Sequence, residues 1–136
     1  MTPEQLESAL RSFFEGNRDD VLAAWLFGSI ARGAANASSD ADIAVLFRRD
    51  PPRTLDGTPA DLVAQLSAAL GKGAPAIDVA VLNRASCDLV HRVLRDGVVL
   101  VDRDPGARIR FEVRSRAAYF DLKPFLDRYR RRERRA

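Results

Sequence analysis

The sequence predicts a single α/β (α+β) domain, a small mixed sheet flanked by helices. Three observations lead there. The chain has 136 residues, the length of one domain that can bury a core without disulfide staples. Apolar residues make up 46% and charged residues 30%, the balance of a globular fold rather than a disordered one. Short apolar runs of strand length alternate with segments of helical periodicity, in the order helix–strand–strand–helix–strand–helix–strand–helix.

The first helix opens at Thr2-Pro3-Glu4-Gln5. Thr2 serves as N-cap, Pro3 fits the first helical position and Gln5 completes a capping box. Leu6, Leu10, Phe13 and Phe14 follow at helical spacing, and Gly16-Asn17 ends the element. Val21–Phe27 is an apolar run that stops at Gly28-Ser29, so it reads as a buried strand. A polar, small-residue segment, Ile30–Ser39, leads to a second strand at Asp40–Phe47. Alternation puts Asp40, Asp42, Ala44 and Leu46 on one face and Ile43, Val45 and Phe47 on the other. Pro51, Pro52 and Gly57 make Arg48–Gly57 a loop. Thr58-Pro59-Ala60-Asp61 starts a second helix with Leu62, Leu66, Ala69 and Leu70 as its stripe, closed by Gly71-Lys72-Gly73. Ala76–Leu82 is the third strand, with Asp78 in its middle. Ser86 caps a third helix that runs through Asp96 to Gly97, and Val98–Val101 is a short fourth strand. From Pro105 the residues Ile109, Val113, Ala117 and Phe120 describe a last helix, which Pro124 is expected to kink or interrupt. Phe125, Leu126 and Tyr129 extend its stripe.

Composition closes off several classes of function. One cysteine, Cys87, permits no intrachain disulfide and no cysteine-based zinc cage, and one histidine, His91, permits no HExxH site. Cys87 fits a helix start, His91 a helix surface or half-buried position, and Trp25 the core. The longest uncharged, mostly apolar run is Val21–Ala31, short of the roughly 18–20 residues of a membrane span. Met1–Phe14 lacks the pattern of a signal peptide. The expected compartment is the cytoplasm, with no membrane partner. The net charge of +3 is unevenly placed: Arg128, Arg130, Arg131, Arg132, Arg134 and Arg135 against Glu133 give 128–136 a net +5, leaving −2 for the rest. That division suggests a domain over 1–127 and an Arg-rich tail over 128–136. A basic footprint across the domain is missing, so no direct nucleic-acid binding is expected. The tail is a solvated helix end or a docking segment for an acidic partner.

The chemistry is carried by three places. Gly28-Ser29 ends the first strand, Asp40-Ala41-Asp42 opens the second, and Asp78 sits inside the third. Aspartate is a poor strand residue. Three carboxylates on neighbouring strands repel one another unless a cation joins them. Residues i and i+2 of a strand point the same way, with Cα atoms roughly 6.5–7 Å apart, so Asp40 and Asp42 can share an ion. Oxygen-only ligation selects Mg²⁺ or Mn²⁺. A third carboxylate allows a site for two ions, the arrangement used in phosphoryl chemistry. Gly28 lets backbone approach a phosphate closely, and Ser29 adds a hydroxyl and an amide. Arg32 pairs with a phosphate or with a nearby carboxylate. Taken singly, these aspartates also fit a turn, a solvated strand position and an edge-strand charge; the joint spacing favours the metal.

Leu26-Phe27-Gly28-Ser29-Ile30-Ala31-Arg32-Gly33, followed by Ser39-Asp40-Ala41-Asp42-Ile43-Ala44-Val45, resembles the GS-x10-DxD signature of the minimal nucleotidyltransferases. These belong to the DNA polymerase β-like nucleotidyltransferase superfamily. The resemblance continues through Ile77–Ala85, Val93–Leu100 and Tyr119–Tyr129, and is strongest to the MntA-type antitoxins. It implies a polymerase β-like fold, ATP as substrate, Mg²⁺ as cofactor, and a partner: an RNase toxin of the HEPN family (HepT type) whose tyrosine receives AMP. It further implies that Asp40 and Asp42 hold the ion against the triphosphate. Asp78 would help bind a second ion and accept the proton of the attacking hydroxyl, and Gly28 and Ser29 would hold the outer phosphates, with Arg32 beside them. Two other readings stay open: an antitoxin that neutralises its toxin by binding alone, and a nucleotidyltransferase acting on a small molecule.

Overall fold

The computed structural model describes residues 1–33, 39–51 and 58–135. The elements are α1 (Pro3–Gly16), β1 (Val21–Phe27), a one-turn α2 (Gly28–Ala31), β2 (Ala41–Phe47), α3 (Thr58–Leu70), β3 (Ile77–Val81), a 3₁₀ turn (Leu82–Arg84), α4 (Cys87–Asp96), β4 (Val98–Asp102) and α5 (Pro105–Arg135). The four strands form one sheet in the order β3-β2-β1-β4. β1 runs antiparallel to β2 and β4, while β2 and β3 are parallel. The sheet is thus mixed and the fold α/β, as the element pattern predicts. Residues 34–38 of the inter-strand segment and 52–57 of the expected loop lie outside the described residues.

Both faces of the sheet are covered, which explains why β1 is apolar throughout instead of alternating. Ile43, Val45 and Phe47 pack with Leu6, Leu10, Phe14 of α1 and Leu62, Leu66 of α3. Ala44 and Leu46 pack with Trp25, Val90 and Val93 on the other face. In β1 the bulge between Val21 and Ala23 puts Leu22 and Ala23 on one face together. The capping box of α1 is formed: Thr2 Oγ1 accepts from the Gln5 N–H, and Gln5 Oε1 accepts from the Thr2 N–H. Ser86 accepts from the Leu89 N–H at the start of α4. Trp25 is buried, as expected.

Several expectations are corrected. The second strand starts at Ala41, leaving Asp40 just outside it. Ala69 of α3 is exposed rather than part of the buried stripe. The third strand stops at Val81, because the Asn83 side chain takes both backbone groups of Phe47, donating to its C=O at 3.0 Å and accepting from its N–H at 2.9 Å. Gly97 ends α4 with an ordinary backbone angle, φ −77°. What requires glycine there is space: a Cβ would lie 2.4 Å from the Val93 carbonyl oxygen and 3.3 Å from Trp25 Cβ.

The last helix runs through Pro124 without interruption. Pro124 removes the hydrogen bond to the Phe120 carbonyl, and that side of α5 faces solvent, where water can replace the lost donor. Ile109, Val113, Ala117 and Phe120 point outward rather than into the core. The helix packs instead through Arg108, Phe111 and Tyr119. Arg108 bridges Asp102 and Glu112 at 2.6 and 2.8 Å, and Tyr119 stacks on His91 with centroids 3.7 Å apart. His91 is therefore a half-buried packing residue, and Cys87 opens α4.

Candidate active site

The site lies where β1 ends and β2 begins. Asp42 pairs with Phe27 across the antiparallel ladder and with Asp78 across the parallel one. In-register neighbours point to the same face, with strands about 4.8 Å apart, so Asp42 and Asp78 stand side by side. Asp40 precedes the strand and is exposed, Asp78 is exposed, and Asp42 is half-buried.

The turn from β1 into α2 is built around Gly28. Its φ is +79°, a left-handed conformation that favours glycine. A Cβ at this position would also meet Asp42 Oδ2 at 2.2 Å. Glycine is required twice here, once by the backbone and once by the carboxylate resting against it. Ser29 follows in the first turn of α2. Arg32 caps the end of α2, its N–H donating to the Gly28 carbonyl at 3.1 Å. Its exposed side chain makes no ion pair among the described residues.

Electrostatics single out Asp42. Burial pushes its carboxyl above the usual range, the charges of Asp78 and Asp40 push it further, and Arg32 opposes them. A carboxylate desolvated beside two others is stabilised by a cation or a proton. The fit to a divalent ion rests on this donor set: oxygen only, anionic, on adjacent in-register positions. Among the described residues, no three His, Cys, Asp or Glu side chains are drawn together into a closed cage. Mutual repulsion is the physical reason carboxylates of this kind do not converge on their own.

Gly28, Asp42 and Asp78 are thus brought together, with Ser29 and Arg32 on the adjoining turn and Asp40 at its rim. The sequence reading passed over two residues that hold the frame. Asn83 fixes the far end of β2, as described above. Arg103 donates to the carbonyls of Phe14, Asn17, Arg18 and Val21, tying the C-terminal end of α1 to the start of β1. Neither is part of a spacing motif; each is a single polar residue next to an element boundary.

A family model described as polymerase beta, nucleotidyltransferase matches residues 8–106. No curated protein sequence matches the chain. Among solved structures, a toxin–antitoxin crystallised with AMP-PNP superposes with a TM-score of 0.68 at 24% identity, covering 90% of this chain and 97% of that one. The MNT antitoxin complexed with the tri-AMPylated HEPN toxin of Shewanella oneidensis superposes at 0.64 and 21% identity, covering 94% and 98%. An MntA–HepT toxin–antitoxin gives 0.63 at 22% identity, covering 93% and 97%. At these identities the likeness is one of fold.

Proposed function

The chain belongs to the polymerase β nucleotidyltransferase family, and from that premise we propose that it is an antitoxin that transfers AMP from ATP to a tyrosine hydroxyl of a cognate HEPN-family RNase, inactivating it. The observation that carries this reading is the pairing of Asp42 with Asp78 against the backbone of Gly28. Support comes from the fold neighbours, one of which is a complex with a tri-AMPylated toxin and another a toxin–antitoxin with an ATP analogue.

In the reaction the tyrosine oxygen attacks the α-phosphorus of ATP. A new P–O bond forms to tyrosine, the bond from the α-phosphorus to the bridging oxygen breaks, and pyrophosphate leaves. Asp40, Asp42 and Asp78 are the residues that would hold Mg²⁺, which when bound offsets the charge of the triphosphate. Asp78, exposed on its strand, accepts the proton of the attacking hydroxyl. Gly28 presents backbone without a side chain, and Ser29 adds a hydroxyl, to seat the outer phosphates. Arg32, free of ion pairs among the described residues, pairs with phosphate oxygens rather than with a carboxylate. The expected setting is the cytoplasm, where ATP and an RNase target are both present.

Incubation with labelled ATP, Mg²⁺ and a cognate HEPN-family RNase, followed by intact-mass measurement, tests the proposal. The expected result is an increase of the RNase mass by one or more AMP units, lost with Asp42→Ala. An unmodified RNase whose activity this chain still suppresses would favour neutralisation by binding alone.

A further inference from the structure

The longest helix of the molecule is also its least covered. At 1.5 Å per residue α5 is about 46 Å long, and its main packing partner, α4, has ten residues. Ala107, Phe111, Arg114, Ala118, Leu122, Phe125 and Tyr129 follow one another at steps of three or four residues, so they lie along one face of α5. The first four of these line a cavity of about 580 Å³ between α5, α4 and the 3₁₀ turn, floored by Leu22, Leu46, Leu82 and Val90. The last three continue the line beyond the cavity and are 45, 62 and 63% exposed.

Charge flanks this face on one side. Arg110, Arg114, Arg128 and Arg132 share an edge of the helix at i, i+4 spacing, with Asp121 between the two pairs. Arg110 and Arg114 make no ion pair among the described residues, and no carboxylate is among the described residues that line the cavity. Over its whole length α5 carries eleven basic and four acidic residues.

We propose that the cavity and its continuation along α5 form a docking track for an amphipathic helix with an acidic flank, belonging to a protein partner. The identity of that partner as the toxin rests on the function proposed above. The shape is that of a helix-in-groove interface, with apolar anchors at helical spacing beside one charged edge. A second copy of this chain would set one strongly basic helix against another. A bilayer cannot fill a recess between two helices, and a nucleic-acid backbone leaves a floor of leucine and valine uncovered. The cavity takes in Leu46 and Phe47 at one end of β2, while Asp42 is near the other. At roughly 3.4 Å per residue this separates docking from chemistry by about 15 Å.

The test uses two double variants of exposed residues, Phe125→Ser with Tyr129→Ser and Arg110→Ser with Arg114→Ser. The probe is a cognate HEPN-family RNase, the partner of the function proposed above. Calorimetry at two salt concentrations gives Kd, and intact mass at saturating RNase gives the transfer rate. The apolar pair is expected to weaken binding at least tenfold at both salts. The arginine pair is expected to weaken it at low salt and to flatten the salt dependence. Neither changes the transfer rate at saturation. Unchanged binding by both variants overturns the docking track, and AMP transfer by the wild type in the same experiment leaves the proposed function standing. Binding without transfer by the wild type does the reverse. Two further results also overturn the track: self-association of the chain that Phe125→Ser with Tyr129→Ser abolishes, or binding to vesicles of phosphatidylglycerol and phosphatidylcholine that the same variant abolishes.

Discussion

Replacing Gly28 with alanine adds one methyl group where β1 meets Asp42. The new Cβ lies 2.2 Å from Asp42 Oδ2, 3.1 Å from Cγ and 3.3 Å from Cβ. Two costs arise. The backbone angle of +79° costs an L-residue about 1–2 kcal/mol. The carboxylate, the end of a flexible side chain, must retreat by roughly 1 Å to restore ordinary contact, and a misplacement of that size at a reacting centre costs about 100-fold in rate. Gly33 supplies the control, because it has φ +71° and, among the described residues, nothing within 4 Å of a Cβ. Gly33→Ala therefore carries the backbone cost alone. Both variants will lose stability, by about 3–8 °C in Tm for a domain of this size, read by circular dichroism. AMP transfer, read with labelled ATP, will fall about 100-fold in Gly28→Ala and stay near the wild-type rate in Gly33→Ala. In an Asp42→Ala background the stability cost of Gly28→Ala will shrink to that of Gly33→Ala, since the colliding oxygen is gone. Equal transfer rates in the two alanine variants would refute the close approach as the reason for glycine.

Asp42→Asn will raise Tm in metal-free buffer at pH 7. Because the folded state raises this carboxyl, the native chain binds protons more readily than the unfolded one, so wild-type stability falls as pH rises from the ordinary carboxylate range through the raised value. The gain of the asparagine variant will vanish below that window, as a Tm series from pH 3 to 8 will show. Mg²⁺ with ATP will raise the Tm of the wild type by linkage; the combined variant Asp40→Asn, Asp42→Asn, Asp78→Asn will lose this response, and an undiminished response would move the ions elsewhere. Arg103→Ala will cost about 2–3 kcal/mol in urea unfolding, because its guanidinium serves four carbonyls around the end of α1 and charged hydrogen bonds contribute about 1.5–3 kcal/mol; a loss under 0.5 kcal/mol would mean water replaces it.

The local elements were legible in the sequence because their causes are local. The capping box of Thr2 and Gln5, the Ser86 cap, and the apolar stretch Val21–Phe27 depend on residues a few positions apart, and the structure places each of them as its pattern implies. The Gly28-Ser29 and Asp40-Ala41-Asp42 pieces were visible for the same reason, as polar or small residues set against apolar strands. Tertiary structure alone decided that Asp42 and Asp78 are in-register neighbours and that Asp42 rests against Gly28. Strand order and register follow from packing between segments 36 residues apart, which no local pattern encodes. Gly97 is of the same kind: its need for space comes from Trp25, brought in by the fold. Periodicity was sufficient to predict α5 as a helix, yet it pointed to Ile109, Val113 and Phe120 as the buried side, and the structure exposes all three. A periodic stripe records that a helix has an apolar face. Which face meets the core depends on what stands opposite, here Asp102 beneath Arg108 and His91 beneath Tyr119, and that is settled only when the chain closes on itself.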